Sequence, residues 1–233
     1  MLKNDLMMRN PLRLMDQESE QILKSGEFGA VLARAGVGKT ALLVQLALNS
    51  MLRGENVLHI SLEDPVNKVS VWYKEVFNRI SQQYAAHQMD QLWDSVLPNR
   101  FIMTFRVEGF TIPKLEERLT DLIEQKIFSP HMMLIDGLPF DDTVREHLIQ
   151  LKALAQKNNM HAWFAVRTHR HEEPGHNGVP IQLNQVADLI DVAIQLVPVG
   201  KQVHIRMLKG TDDVSDHPDL VLDPSTMLIQ EER

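Results

Sequence analysis

The sequence predicts an α/β protein: a mostly parallel central sheet with helices on both faces and a C-terminal antiparallel β extension. Three observations carry this. Apolar runs of strand length alternate with longer stretches of helical periodicity from residue 28 to residue 166, the pattern that βαβ units write into a chain. A glycine-rich turn joins the first apolar run to the first helical stretch, at residues 33–40. Beyond residue 189 the helical period stops, and paired apolar runs flank turn residues instead.

Each element follows from its local pattern. Strands are expected at 28–33, 56–61, 100–105, 131–136 and 161–166, all short and apolar. Residues 40–52 place Leu42, Leu43, Leu46, Ala47 and Met51 at helical spacing, and Gly54 follows as a stop signal. One helix is expected over 66–89, with Val69, Val71, Trp72, Val76 and Ile80 as its buried stripe. Another begins at Ile112-Pro113 and carries Leu115, Leu119, Leu122, Ile123 and Ile127 on one face. A further one carries Val144, Leu148, Leu151, Leu154 and Ala155. Residues 167–185 are polar and read as a long loop, a length that is usually functional or mobile. Strands at 189–197 and 202–208 form one hairpin, and 220–222 with 227–229 a second. Residues 1–25 form an N-terminal extension, weakly helical over 16–24, and 26–233 form one domain.

Composition narrows the function classes. The 233 residues are 44% hydrophobic and 24% charged, ordinary globular usage that excludes a disordered chain or a coiled coil. There is no cysteine, which removes disulfide scaffolds, Cys-ligated zinc and thiol nucleophiles. A net charge of −7 argues against a sequence-blind grip on nucleic acid, although it allows a local basic patch. No signal-peptide pattern occurs near the N-terminus, and no apolar run approaches the roughly 20 residues a membrane span needs. A soluble, cytoplasmic protein without a membrane partner is expected.

The strongest chemical signal is Ala33-Arg34-Ala35-Gly36-Val37-Gly38-Lys39-Thr40. It has the spacing of a phosphate-binding P-loop, with Ala in place of the first glycine. Gly36 and Gly38 let backbone N–H groups turn inward around an anion. Lys39 can reach the β- and γ-phosphates, and Thr40 can place its hydroxyl on Mg²⁺. The helix that follows aims its positive end at the same point. Residues Arg34 to Ala41 are therefore the candidate nucleotide-binding segment.

Such a loop needs an acidic partner for the metal. Met132-Met133-Leu134-Ile135-Asp136, an apolar strand ending in Asp, supplies it. Hydrolysis also needs a group to orient and deprotonate water. Glu63, in Ser61-Leu62-Glu63-Asp64, follows the strand after the P-loop helix, and parallel strands gather their C-terminal ends at one sheet edge. Asp64 competes for that role, or serves as a helix cap before Pro65.

These elements, in this order, resemble the RecA superfamily, and within it the replicative-helicase (DnaB) and circadian-clock (KaiC) branch. Gly36-Val37-Gly38-Lys39-Thr40-Ala41-Leu42 looks like that branch's GxGKTAL, with Arg34 where the branch also has Arg. Ser61-Leu62-Glu63 is similar to the SLE that carries its catalytic Glu, and Ile135-Asp136-Gly137 resembles its Walker B end. Ala187-Asp188-Leu189 and Lys209-Gly210-Thr211 resemble its late motifs. The resemblance covers about residues 26–215. It implies a RecA-like ATPase domain over 26–233, ATP and Mg²⁺ as ligands, and a homo-oligomeric ring or filament with nucleotide at subunit interfaces. Catalytic roles would fall to Lys39 and Glu63. A cation passed from the neighbouring subunit would be Lys209 or the nearby Arg206, since the family's basic pair there is reduced to Met207-Leu208-Lys209. Where the family has a polar sensor, usually Gln, after the fifth strand, this chain has Arg167. Three roles are open: a DNA-linked motor or loader with single-stranded DNA as partner, a regulatory or scaffold ATPase with a protein partner, and a nucleotide-binding module without turnover.

Weaker signals have simpler readings. His169, His171 and His176 could suggest a metal, but they lie in one polar loop beside Glu172 and Glu173, which reads as solvated. The 12 methionines read as core filler. Trp72, Tyr73 and Trp93 read as packing or a subunit contact.

Overall fold

A strand that is apolar at every position must be covered on both faces, and Phe28–Ala33 (β1) is buried at all six positions. The structure, a computed structural model, describes residues 2–8, 22–169, 180–210 and 220–231. In chain order it contains α1 (Leu2–Met8), β1, α2 (Lys39–Arg53), β2 (Val57–Ser61), α3 (Val66–Ile80), α4 (Ala86–Val96), β3 (Arg100–Thr104), α5 (Ile112–Glu124), β4 (Met132–Asp136), α6 (Val144–Lys157), β5 (His161–Arg167), β6 (Val192–Val199), β7 (Gln202–Lys209), β8 (Leu220–Leu222) and β9 (Ile229–Glu231). The described strands form one sheet in the order β3-β2-β4-β5-β1-β6-β7-β8-β9. From β3 to β6 all neighbours are parallel; from β6 to β9 all are antiparallel.

Side-chain alternation divides the core into two layers. Val31, Leu134, Trp163 and Ile194 face one side, where Leu42, Leu46, Tyr73 and Phe77 of α2 and α3 cover them. Ala30, Leu32, Met133, Ile135 and Phe164 face the other, beneath Leu115 and Leu119 of α5 and Leu148 and Leu151 of α6. Gly29 stands in register with Trp163 on β5. A Cβ at Gly29 would lie 2.5 Å from the Trp163 ring, which is itself buried. Gly29→Ala is therefore expected to destabilise the fold by about 1–3 kcal/mol, the usual range for overpacking a core. A urea midpoint equal to that of the parent chain would refute this packing account.

Several expected boundaries shift. The helix expected over 66–89 is two helices, α3 and α4. The break falls at Ser81, whose hydroxyl turns back to the carbonyls of Phe77 and Asn78, and local hydroxyl bonding of this kind competes with helix propagation. Val71, expected in the buried stripe, is exposed. So is Ile127, because α5 ends at Glu124 and Lys126 takes a left-handed turn. The strand expected from 189 starts at Val192, after a turn that ends the polar stretch. The strand expected at 227–229 starts at Ile229, since Met227 has a φ of 57° inside the turn. Of the helix expected over 16–24, residues 22–24 are non-helical and the rest lie outside the described residues. No helix among the described residues is long and apolar enough to cross a membrane.

Candidate functional site

Parallel strands deliver their C-terminal ends to one edge, and that edge is a cleft of about 670 Å³. Gly36, Lys39 and Thr40 line it from the β1–α2 turn. Ser61, Glu63 and Asp64 line it from the end of β2, Asp136 and Gly137 from β4, and Arg167 from β5. Four residues singled out by their sequence motifs, Lys39, Thr40, Glu63 and Asp136, are thus brought to one place.

The turn between β1 and α2 is built from glycine conformations. Gly36 and Gly38 have φ of 77° and 114°, in the left-handed region that other residues avoid. At Gly38 space is also short: a Cβ would lie 2.5 Å from Leu222 Cδ2 of β8. The antiparallel extension therefore presses on the loop. It is tied to α2 as well, since Gln45 Nε2 donates to the Met227 carbonyl at 2.9 Å and the Ile229 N–H donates to Gln45 Oε1 at 3.0 Å. No side chain caps α2 and no acidic residue lies in its first turn. Its N-terminal end, where the helix dipole is positive, lies at the cleft, which Lys39 and Thr40 of its first turn line. Arg34, Ala35 and Gly36 are exposed at the loop's crest, Val37 packs partly on the core, and Ala41 is buried beneath it.

Lys39 reaches back along this loop. Its ammonium donates to the carbonyls of Ala33 at 3.0 Å and Arg34 at 3.1 Å. Burial lowers its pKa; Asp136 and Glu63 oppose the shift, and Arg167 adds to it. Thr40 Oγ1 donates to Asp136 Oδ2 at 2.9 Å. Burial raises the Asp136 carboxyl above its ordinary range and Glu63 adds to the rise, while the Thr40 bond and Lys39 resist it.

Glu63 and Asp64 differ in their surroundings. Asp64 Oδ1 pairs with Lys68 Nζ at 2.7 Å, one helical turn on, so its carboxylate has a local partner. It does not cap α3, whose N-cap is Pro65 without a side-chain bond. Glu63 is exposed toward the cleft and rests against Gly137. A Cβ at Gly137 would lie 2.8 Å from Glu63 Cγ, and Gly137 has a φ of 89°, so glycine is needed there on both counts.

The two candidate trans-acting cations lie elsewhere. Neither Lys209 nor Arg206 lines the cleft. Lys209 Nζ donates to the carbonyls of Ala187 and Ile190 at 2.9 and 2.6 Å, which fastens β7 to the turn before β6 in the same chain. That turn is held from its other side by a forked pair: the Arg145 guanidinium donates to both Asp188 oxygens at 2.7 and 2.8 Å. Lys209 is thus engaged within its own chain, and Arg206 is exposed on β7.

Arg167, singled out in the sequence as the residue after the fifth strand where a polar sensor was expected, also lines the cleft. Its position, the residue ending the fifth strand, was the available signal. The 170–179 part of the histidine-containing loop and Thr211 lie outside the described residues. Among the described residues no group of three or more His, Asp or Glu side chains is placed to hold a metal by itself. Tyr73 is fully buried, and Trp93 stacks at 4.9 Å from Phe77 as a packing residue. No protein-family model matches the chain, and no curated protein matches it.

Proposed function

We propose that this chain is a Mg²⁺-dependent ATP hydrolase with a RecA-like core of the helicase and clock type. The observation that carries the reading is the convergence of Lys39, Thr40, Glu63 and Asp136 on one cleft beside an uncapped helix N-terminus. The backbone N–H groups of Gly36 to Thr40 and the Lys39 ammonium bind and orient the phosphates. Thr40 and Asp136, whose oxygens lie 2.9 Å apart, fit as adjacent ligands of one Mg²⁺. Magnesium characteristically uses one or two protein ligands and takes the rest from phosphate and water, which suits a site without a full protein cage. When bound, Mg²⁺ would neutralise phosphate charge. Glu63 holds the attacking water and accepts its proton, and the water oxygen joins the γ-phosphorus as the bond to the bridging oxygen breaks and ADP leaves with the electron pair.

The downstream role we propose is a DNA-linked motor or loader acting as a ring or filament, on the strength of the helicase-like motifs. A second reading, a nucleotide-switched regulatory or scaffold ATPase, is favoured by the engagement of Lys209 within its own chain. ATPase rates with and without single-stranded DNA, alongside the mass of the assembly with ATP, separate the two.

Lys39→Ala tests the site itself. Calorimetric titration with Mg-ATP is expected to give tight binding for the parent chain and none for the variant, with unchanged circular dichroism. Equal affinity in a folded variant would refute the nucleotide site.

A further inference from the structure

Arg167 is where it is because β5 runs between β1 and β4. Its Cα is in register with Ala33, the first residue of the phosphate loop, and the next N–H, of Thr168, donates to the Ala33 carbonyl at 3.0 Å. The sheet therefore delivers a guanidinium between the loop and the acidic strand end, in the cleft lined by Lys39, Glu63 and Asp136. The residue is exposed and lines the cleft. Its charge is close enough to disfavour the Lys39 ammonium. Two cations on one cleft floor repel each other, and a polyanion between them converts that repulsion into attraction on both sides. The candidate trans cation Lys209 is meanwhile bonded to Ala187 and Ile190.

We propose that Arg167 supplies, from within the same chain, the cation that stabilises the charge developing on the γ-phosphoryl group. The proposal rests on the ATP-hydrolase reading above. Arg167 forms no covalent bond and carries no proton in the step; its guanidinium stays charged, and its planar fork suits two equatorial phosphoryl oxygens. A cation so placed adds most as the transferring group loosens, so its effect falls on turnover and not on ground-state binding.

The test is Arg167→Ala in the full chain, with Arg167→Lys beside it. Single-turnover hydrolysis by the Ala variant is expected to fall on the order of 10³-fold, the low end for arginines of this kind, while its Mg-ATP affinity stays close to the parent's. Capture of ADP with aluminium fluoride, which mimics the planar phosphoryl group, should be lost in the Ala variant, and added guanidinium should restore part of its rate. The Lys variant should be intermediate, since it keeps the charge without the fork. Mixing Arg167→Ala with Glu63→Gln should restore nothing, because a site that needs both residues from one chain is broken in each protein. Recovery on mixing would show that Arg167 acts across an interface and would overturn the same-chain assignment. Parental turnover and aluminium fluoride capture in Arg167→Ala would overturn the proposal and leave the hydrolase reading intact. A parent chain that fails to bind ATP through Lys39 would overturn both, and the binding titration identifies that case.

Discussion

Glu63→Gln protein is expected to bind Mg-ATP as tightly as the parent chain and to release phosphate at least about a hundredfold more slowly, the scale for loss of a positioned general base. The substitution keeps size and shape, so the side chain still fits against Gly137, where the approach is too close for any residue but glycine. What it removes is the ability to take a proton. Asp64→Asn should have a much smaller effect, because that carboxylate is already paired with Lys68 at 2.7 Å. A quenched phosphate-release assay on both variants decides the matter. Were Asp64 the sensitive residue, the water would sit one residue further along the strand end than the cleft geometry indicates.

Stability is expected to fall as the pH drops from about 6.5 toward about 4, because two histidines are buried. His59 and His161 are both buried, and burial pushes each imidazole pKa from 6.5 down to about 4. Around His59 the Arg100 charge adds to the shift and Asp64 opposes it; around His161, His131 adds and Glu55 opposes. His59 is packed against Tyr73, its Nδ1 3.0 Å from the Tyr73 hydroxyl, and its Nε2 has no partner to receive a proton charge. The unfolded chain takes up protons at both residues near pH 6.5, whereas the folded chain does not until about pH 4. Between those values the unfolded state binds more protons, so stability falls as pH falls. Linkage makes that loss about 3 kcal/mol for each histidine across the window. The raised Asp136 carboxyl works in the opposite direction, which is why the variants matter. Urea midpoints at pH 7.5 and pH 5 should differ strongly for the parent chain. The difference should shrink in His59→Gln and again in His161→Gln. A parent midpoint that is flat over this range would contradict neutral burial of the two rings.

The strand and helix alternation, the glycine-rich turn between the first strand and the first long helix, and the strand-end acids were all legible in the sequence, and for one reason: each is a local pattern. A buried parallel strand is an apolar run whatever lies beside it. The spacing of Gly36, Gly38, Lys39 and Thr40 is a property of eight consecutive residues. Even the meeting of Glu63 with Asp136 followed from topology in general, because parallel strands share an edge for their C-terminal ends. Tertiary structure alone decided the order of the strands. That order puts β5 between β1 and β4 and so sets Arg167 between the glycine-rich turn and the strand end that carries Asp136, a result of crossover paths that no local window encodes. It alone decided that Lys209 spends its donors on Ala187 and Ile190, about twenty residues back along the chain. The C-terminal extension shows the division well. Its strands could be read from alternation and turn residues, but the pressure of Leu222 on Gly38 joins residues far apart in sequence. Period and motif are short-range and survive in the sequence; contacts between distant segments exist only once the sheet has closed.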